Sequence, residues 1–185
     1  ARFRVSLLGP FSVFGPDGDK VSIASKKNRI LLAMLAVAPE RAMSRDALSA
    51  ALWSDYSQEQ ANNSLRQALA VLRKELRDDD GQFFEMDGSR VGIRPDRVHF
   101  DIDAFKSNVE IGTAETLESA LKLWRGPFVE DVTPPDVTVE QWLSETREHF
   151  NSLYVSALDR LTTLLSGEAR IRVAERLVRF DNLRE

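Results

Sequence analysis

Cysteine is absent from this chain, which removes disulfides, thiolate nucleophiles and sulfur-ligated zinc from the chemistry of its 185 residues. Histidine is nearly absent. His99 and His149 are far apart and read as surface or partly buried structural residues, not as catalysts or metal ligands. No glycine-rich phosphate cradle and no Gly-x-Ser-x-Gly elbow occurs. Apolar runs are all shorter than the ~20 residues a bilayer span needs, and the opening residues carry no signal-type apolar core. The expectation is a cytoplasmic protein without membrane contact, catalysis, cofactor or metal. Asp78-Asp79-Asp80 is an acidic run, but it reads as a helix ending in solvent. Asp101 and Asp103 share one strand parity, and Asp103 reads as a helix N-cap.

What is present is ordinary globular material, 43% hydrophobic and 29% charged, enough for one good core or two small ones. The formal net charge of −4 argues against a nucleic-acid partner only until its distribution is examined. Residues 1–97 hold 15 Lys/Arg against 13 Asp/Glu, whereas residues 98–185 hold 10 against 16. A near-neutral first part can bind DNA if its cations cluster. The acidic second part is suited to protein contact.

The opening alternates like strand, with Phe3, Val5 and Leu7 ending at Gly9-Pro10. Phe11–Phe14 and Val21–Ile23 flank the turn Pro16-Asp17-Gly18, so a small antiparallel sheet comes first. Ser25 can cap an apolar helix running to Pro39. Ser44 can cap a short helix through Leu52, and Ser57 with Gln60 forms a capping-box pattern for a long one. In the long helix Ala61, Leu65, Ala68, Leu69, Leu72 and Leu76 make one apolar stripe. Phe83–Met86 and Ser89–Ile93 bracket Asp87-Gly88, a strong hairpin signal.

This order predicts a winged helix. At about 100° per residue, Asn63, Arg66, Gln67, Ala70, Lys74 and Arg77 fall away from the leucine stripe, with Arg73 beside them. Arg and Lys can donate to guanine and phosphate, and Asn or Gln can pair two-pronged with adenine. The expectation is that Asn63 and Gln67 read bases, while Arg73, Lys74 and Arg77 hold phosphates. A hairpin directly after such a helix is a wing, and Arg90 and Arg94 would bring its charge to the backbone or minor groove. Arg90 has no acidic partner near it in sequence.

The first domain is expected to end at Pro95–Val98, with no strand beyond it. Helices are predicted over 103–109 and 116–124, then from a Thr138/Gln141 capping box to Leu165, and over Ile171–Phe180. Helices paired through short loops suggest a helical-repeat arrangement. A fragment ending near Arg97 is expected to fold and bind DNA, more weakly than the whole chain.

Phe3–Pro10 (FRVSLLGP), Asp46-Ala47-Leu48, Leu52-Trp53 and Leu65–Leu76 (LRQALAVLRKEL) resemble the DNA-binding domain of the Streptomyces antibiotic regulatory protein family, an OmpR-type winged helix. Val98–Phe105 (VHFDIDAF), Ala120–Pro127 (ALKLWRGP) and Phe180–Glu185 (FDNLRE) resemble its bacterial transcriptional activation domain. Val91-Gly92-Ile93-Arg94-Pro95 stands where the family's wing commonly has Gly-Gly-Tyr. Asp181-Asn182-Leu183-Arg184-Glu185 stands for its Asp-Pro-Leu-x-Glu.

The resemblance implies an α+β winged helix over 1–97 (small antiparallel sheet, three helices, wing hairpin). It implies an all-α, tetratricopeptide-like domain over 98–185, continuing in a longer chain. It further implies a transcriptional activator that binds double-stranded DNA at direct repeats and assists RNA polymerase. Its helical domain would serve self-association, as in a homodimer, or contact with a partner or further C-terminal domains. The alternative is a protein-interaction or signalling module whose winged helix no longer binds DNA. Its docking loop would be Trp53-Ser54-Asp55-Tyr56, with Trp53 plugging the core and Tyr56 and Asp55 making contact.

Overall fold

The computed structural model describes residues 2–183, so Arg184 and Glu185 of the closing FDNLRE segment lie outside the described residues. Strands β1 (Phe3–Ser6), β2 (Ser12–Phe14) and β3 (Lys20–Val21) open the chain. Helix α1 (Lys26–Val37) follows, then β4 (Ala42–Ser44), α2 (Arg45–Leu52) and α3 (Gln58–Leu76). The hairpin β5 (Phe84–Met86) and β6 (Arg90–Ile93) leads to β7 (Val98–Phe100). Four helices complete the chain: α4 (Asp101–Ile111), α5 (Ala114–Leu123), α6 (Val137–Leu164) and α7 (Gly167–Asn182). None of the described helices is long and apolar enough to cross a membrane.

Local chemistry accounts for the helix starts. The Ser25 hydroxyl accepts from Asn28 N–H at 3.3 Å and the Ser44 hydroxyl from Ala47 N–H at 3.0 Å. Helix α1 is apolar on nearly every side, and Ile30, Leu31, Leu32 and Leu35 are fully buried. The leucine stripe of α3 packs against it with every member of the predicted set buried.

Two helix starts differ from expectation. Asp136, not Thr138, caps α6 by accepting from Val139 N–H at 2.9 Å. Its carboxylate begins the helix two residues earlier than expected. Helix α4 begins at Asp101 after Phe100, so Asp103 lies inside the first turn and is not the cap.

The expectation of no strand past residue 98 is also overturned. Strand β7 lies parallel to β1 in the register Phe3↔Val98 and Val5↔Phe100, completing a sheet of order β3-β2-β1-β7. A second sheet of order β4-β6-β5 holds the wing.

Beyond β1 the chain is gripped by residues from the helical half. Asp101 accepts the Leu7 and Leu8 N–H groups at 2.8 and 3.0 Å. Gly9 N–H donates to Pro127 O at 3.0 Å, and Val129 N–H donates to Leu7 O at 2.7 Å. Gly9 has φ +108°, and a Cβ there would stand 2.8 Å from Arg125 Cβ, so only glycine admits this approach. One hydrophobic cluster runs through both halves. In the helical part it is built on rings, with Trp124 stacked on Tyr154 at 4.2 Å and Phe128 on Phe150 at 5.2 Å.

Candidate nucleic-acid interface

Helix α3 is fixed at both ends before any ligand arrives. Ser57 Oγ accepts from Gln60 N–H and Gln60 Oε1 accepts from Ser57 N–H, each at 3.3 Å, which completes the expected capping box. At its C-terminus Arg77 takes a left-handed conformation (φ 53°), and its N–H donates back to Arg73 and Lys74 carbonyls. With the stripe buried, Asn63, Arg66, Gln67, Ala70 and Lys74 are exposed. Arg66 Nη1 donates to Asn63 Oδ1 at 3.3 Å, which orients that amide. Val71, 46% exposed, shares this face next to Gln67. Sequence reading passed over it because an apolar residue in an amphipathic helix is assigned to the core by default.

A polar joint sets α2 against α3. Fully buried Ser49 donates to Asn62 Oδ1 at 3.1 Å, and Gln58 Nε2 donates to the same oxygen at 3.0 Å. These residues, too, were missed, because polar side chains within two separate helices give no local signal of a contact between them.

The wing closes differently from the expected Asp87-Gly88 turn. Asp87 N–H donates to Arg90 O at 3.1 Å, so the loop residues are Gly88 and Ser89. Neither has a positive φ, so the turn is not one of the mirror-image hairpin types. It is held instead by the Asp87 carboxylate, whose Oδ1 accepts from Ser89 N–H and Arg90 N–H, both at 2.7 Å, and from Ser89 Oγ at 3.0 Å. Those hydrogen bonds, the two backbone ones foremost, hold the Asp87 carboxyl below its ordinary range.

Arg45 joins the wing to α2. Its N–H donates to Ser89 O at 2.8 Å and its Nε to Asp87 O at 3.0 Å. A cleft of about 180 Å³ lies between wing tip and helices, lined by Arg45, Asp46, Asn62, Leu65, Arg66 and Gly88.

The remaining candidate residues divide. Arg90 stands at the wing, 52% exposed, and its Nη2 lies 3.8 Å from Glu40 Oε2, an acid distant in sequence that the fold brings beside it. Arg73, expected to hold a phosphate, is exposed and turns to the helix end, donating to Asp78 O at 3.2 Å and Asp79 O at 3.5 Å. Arg94 sits at the far end of β6 from the tip, with Nη1 donating to Gly81 O at 3.1 Å. It braces the base of the hairpin and does not extend the wing. Arg77 remains exposed at the end of α3.

Asp78 is not in solvent. It is fully buried, and its carboxylate accepts Phe83 and Phe84 N–H at 2.7 and 3.1 Å, turning the chain from α3 into β5. Trp53 is buried, whereas Asp55 and Tyr56 are exposed. The Lys27 ammonium stands 5.1 Å from the Trp53 ring and 5.7 Å from Tyr56.

Comparison with known proteins finds two family matches along the chain. Residues 18–86 match the family described as "Transcriptional regulatory protein, C terminal", and residues 104–185 match "Bacterial transcriptional activator domain". The chain is 30% identical over 143 residues to Transcriptional regulatory protein MoaR1 of Mycobacterium bovis, covering 66% of this chain and 46% of that protein. It is 30% identical over 150 residues to Transcriptional regulatory protein EmbR of Mycobacterium tuberculosis, covering 71% and 37%. The alignments thus span less than half the length of these relatives. The solved structure "Mycobacterium tuberculosis EmbR in complex with low affinity phosphopeptide" shares the fold, with a TM-score of 0.62 over 96% of this chain and 65% of that one at 20% identity.

Proposed function

For a chain that belongs to the family of bacterial transcriptional regulators uniting these two domains, we propose sequence-specific binding of double-stranded DNA, with α3 in the major groove and the β5–β6 wing on the adjacent backbone or minor groove. The observation that carries this reading is the juxtaposition of two features. One is the exposed Asn63–Gln67–Lys74 face of α3; the other is a wing tip that meets α3 across the cleft holding Arg45 and Arg66.

Asn63 and Gln67 offer paired donors and acceptors to base edges, and Ala70 and Val71 leave apolar surface for a thymine methyl. Arg66, Lys74 and Arg77 supply charge for phosphates, and Arg90 does so from the wing once it exchanges Glu40 for DNA. Arg73 and Arg94 support the fold. The DNA-contacting groups all lie within 1–97, and the acidic helical part over 98–185 serves self-association or contact with RNA polymerase, aligning protomers on direct repeats. Tyr56 and Asp55 present the contact surface of the α2–α3 loop.

The test is a titration of duplex DNA with the whole chain across a salt series. Affinity should fall steeply as salt rises, because each phosphate contact releases condensed counterions. Absence of duplex binding at every salt concentration would favour the interaction-module reading instead.

A further inference from the structure

The corner between α1 and β4 is backbone that ordinary residues avoid. Glu40 and Arg41 are adjacent, neither is glycine, and both are left-handed, with φ 53° and 55°. Each such residue costs on the order of 1–3 kcal/mol and persists only where its surroundings over-determine it.

Here the surroundings are the helical domain. Arg41 Nη1 donates to Ala36 O at 2.9 Å, closing the end of α1, and Nη2 pairs with the Asp103 carboxylate in the first turn of α4. Its guanidinium lies 4.4 Å from the centroid of Phe100, the last residue of β7. The side chain is 16% exposed.

On the other side of the same corner is the wing. Strand β4 starts at the next residue, and its register Ala42↔Gly92, Met43↔Val91 and Ser44↔Arg90 holds β6 from Arg90 to Gly92. A Cβ on Gly92 would stand 3.2 Å from Ala42 Cβ and 3.6 Å from Arg41 O, so the two chains meet with no slack. Glu40 adds its contact to Arg90 at 3.8 Å.

We propose that Arg41 is a positioning residue that ties the wing sheet to the helical domain, so that the placement of α4 and β7 sets the angle at which the wing meets DNA. This rests on the wing being a DNA contact, and it goes beyond that reading by giving the helical domain a mechanical role in recognition. Strained backbone of this kind stores a preference for one pose, and a chain of packed and charged groups carries it from Asp103 and Phe100 through Arg41 to β4 and β6.

Two variants of the whole chain test the proposal. Arg41→Gly relieves the strain at residue 41, since glycine adopts the left-handed conformation freely, and removes all three anchors while Glu40 keeps its own. Asp103→Asn weakens the tie from the opposite side and leaves the corner untouched. Both should raise amide hydrogen exchange across Ser89–Gly92 while Leu69 and Leu72 of α3 keep their protection. Both should also lower duplex affinity by roughly 2- to 30-fold, the range for coupling through packed networks, with a salt slope flatter by about one unit.

Unchanged exchange in the wing would overturn the proposal. So would an equal loss of protection in α3, which marks a general fold defect. If the parent bound no DNA the functional reading would fall, and the exchange pattern alone would still decide whether Arg41 holds the wing.

Discussion

Gln67 stands mid-way along the exposed face of α3, flanked by Asn63 one turn before and Val71 and Lys74 one to two turns after. An amide there can satisfy adenine with two hydrogen bonds, so Gln67→Ala should relax preference at one base position by ~1–3 kcal/mol. Lys74 is a point charge without base-reading geometry. Lys74→Ala should weaken all sequences about equally and flatten the salt slope by roughly one unit. Binding isotherms on the preferred site and on single-base variants distinguish the two, and identical losses on every sequence would refute the base-reading role of Gln67. Asp87 acts on the wing tip instead. Its folded pKa is lowered by the Ser89 and Arg90 N–H bonds, so it contributes to wing order at pH above its ordinary value of 3.8, and that contribution is lost as pH falls through the lowered folded value. Asp87→Ala should therefore raise exchange at the Ser89 and Arg90 amides at neutral pH. The same local opening should appear in the parent only under strong acid.

Among elements, those with local signals were legible. The capping box and the 3.6-residue stripe of α3 lie within one continuous stretch from Ser57 to Leu76, and the structure follows them. The wing was legible as a hairpin, yet its loop was misplaced by one residue, because Asp-Gly signals a primed turn and an aspartate side chain can clasp a different one. Strand β7 was invisible: Val98-His99-Phe100 is only three residues long, and its partner β1 begins far earlier in the sequence, at Phe3. Arg41, Glu40 and Asp103 were illegible for the same reason, since nothing local announces a contact between α1's end and α4. Asp101 shows how strongly such distant contacts weigh. Burial raises its pKa despite the Leu7 and Leu8 N–H bonds and the nearby Arg125. Across the interval between the unfolded value and that raised value, the folded state holds the proton more tightly, so stability falls as pH rises. Asp101→Ala removes this dependence but leaves two buried amides bare, at about 1–3 kcal/mol for each. Chemical denaturation of the variant at neutral pH should show a lower midpoint with an unchanged slope. A variant as stable as the parent would mean that water or a neighbour replaces the carboxylate.

At the scale of the whole molecule, the two halves share a sheet, a hydrogen-bonded seam and one hydrophobic cluster. The cluster buries Phe3, Val5, Leu7 and Leu8 near the seam where β7, Asp101 and residues 125–130 meet β1 and its extension. A fragment ending at Arg97 keeps every proposed DNA-contacting side chain but loses β7, the Asp101 clasp and the Pro127–Glu130 segment. Uncovering even three of those four side chains costs roughly 4–9 kcal/mol at ~1.5–3 kcal/mol each, against the ~5–15 kcal/mol by which a whole domain is stable. The fragment is therefore expected to melt far below the whole chain, or to remain unfolded, and to bind DNA weakly for that reason, not only for want of a second protomer. For the whole chain, calorimetry should show one transition with equal van't Hoff and calorimetric enthalpies, because neither half can open without stripping the other. Two resolved transitions, with a fragment over 1–97 that melts at the lower or the higher of them, would show that the seam joins two independent folds. The tie between helical domain and wing would then have to act through Arg41 alone.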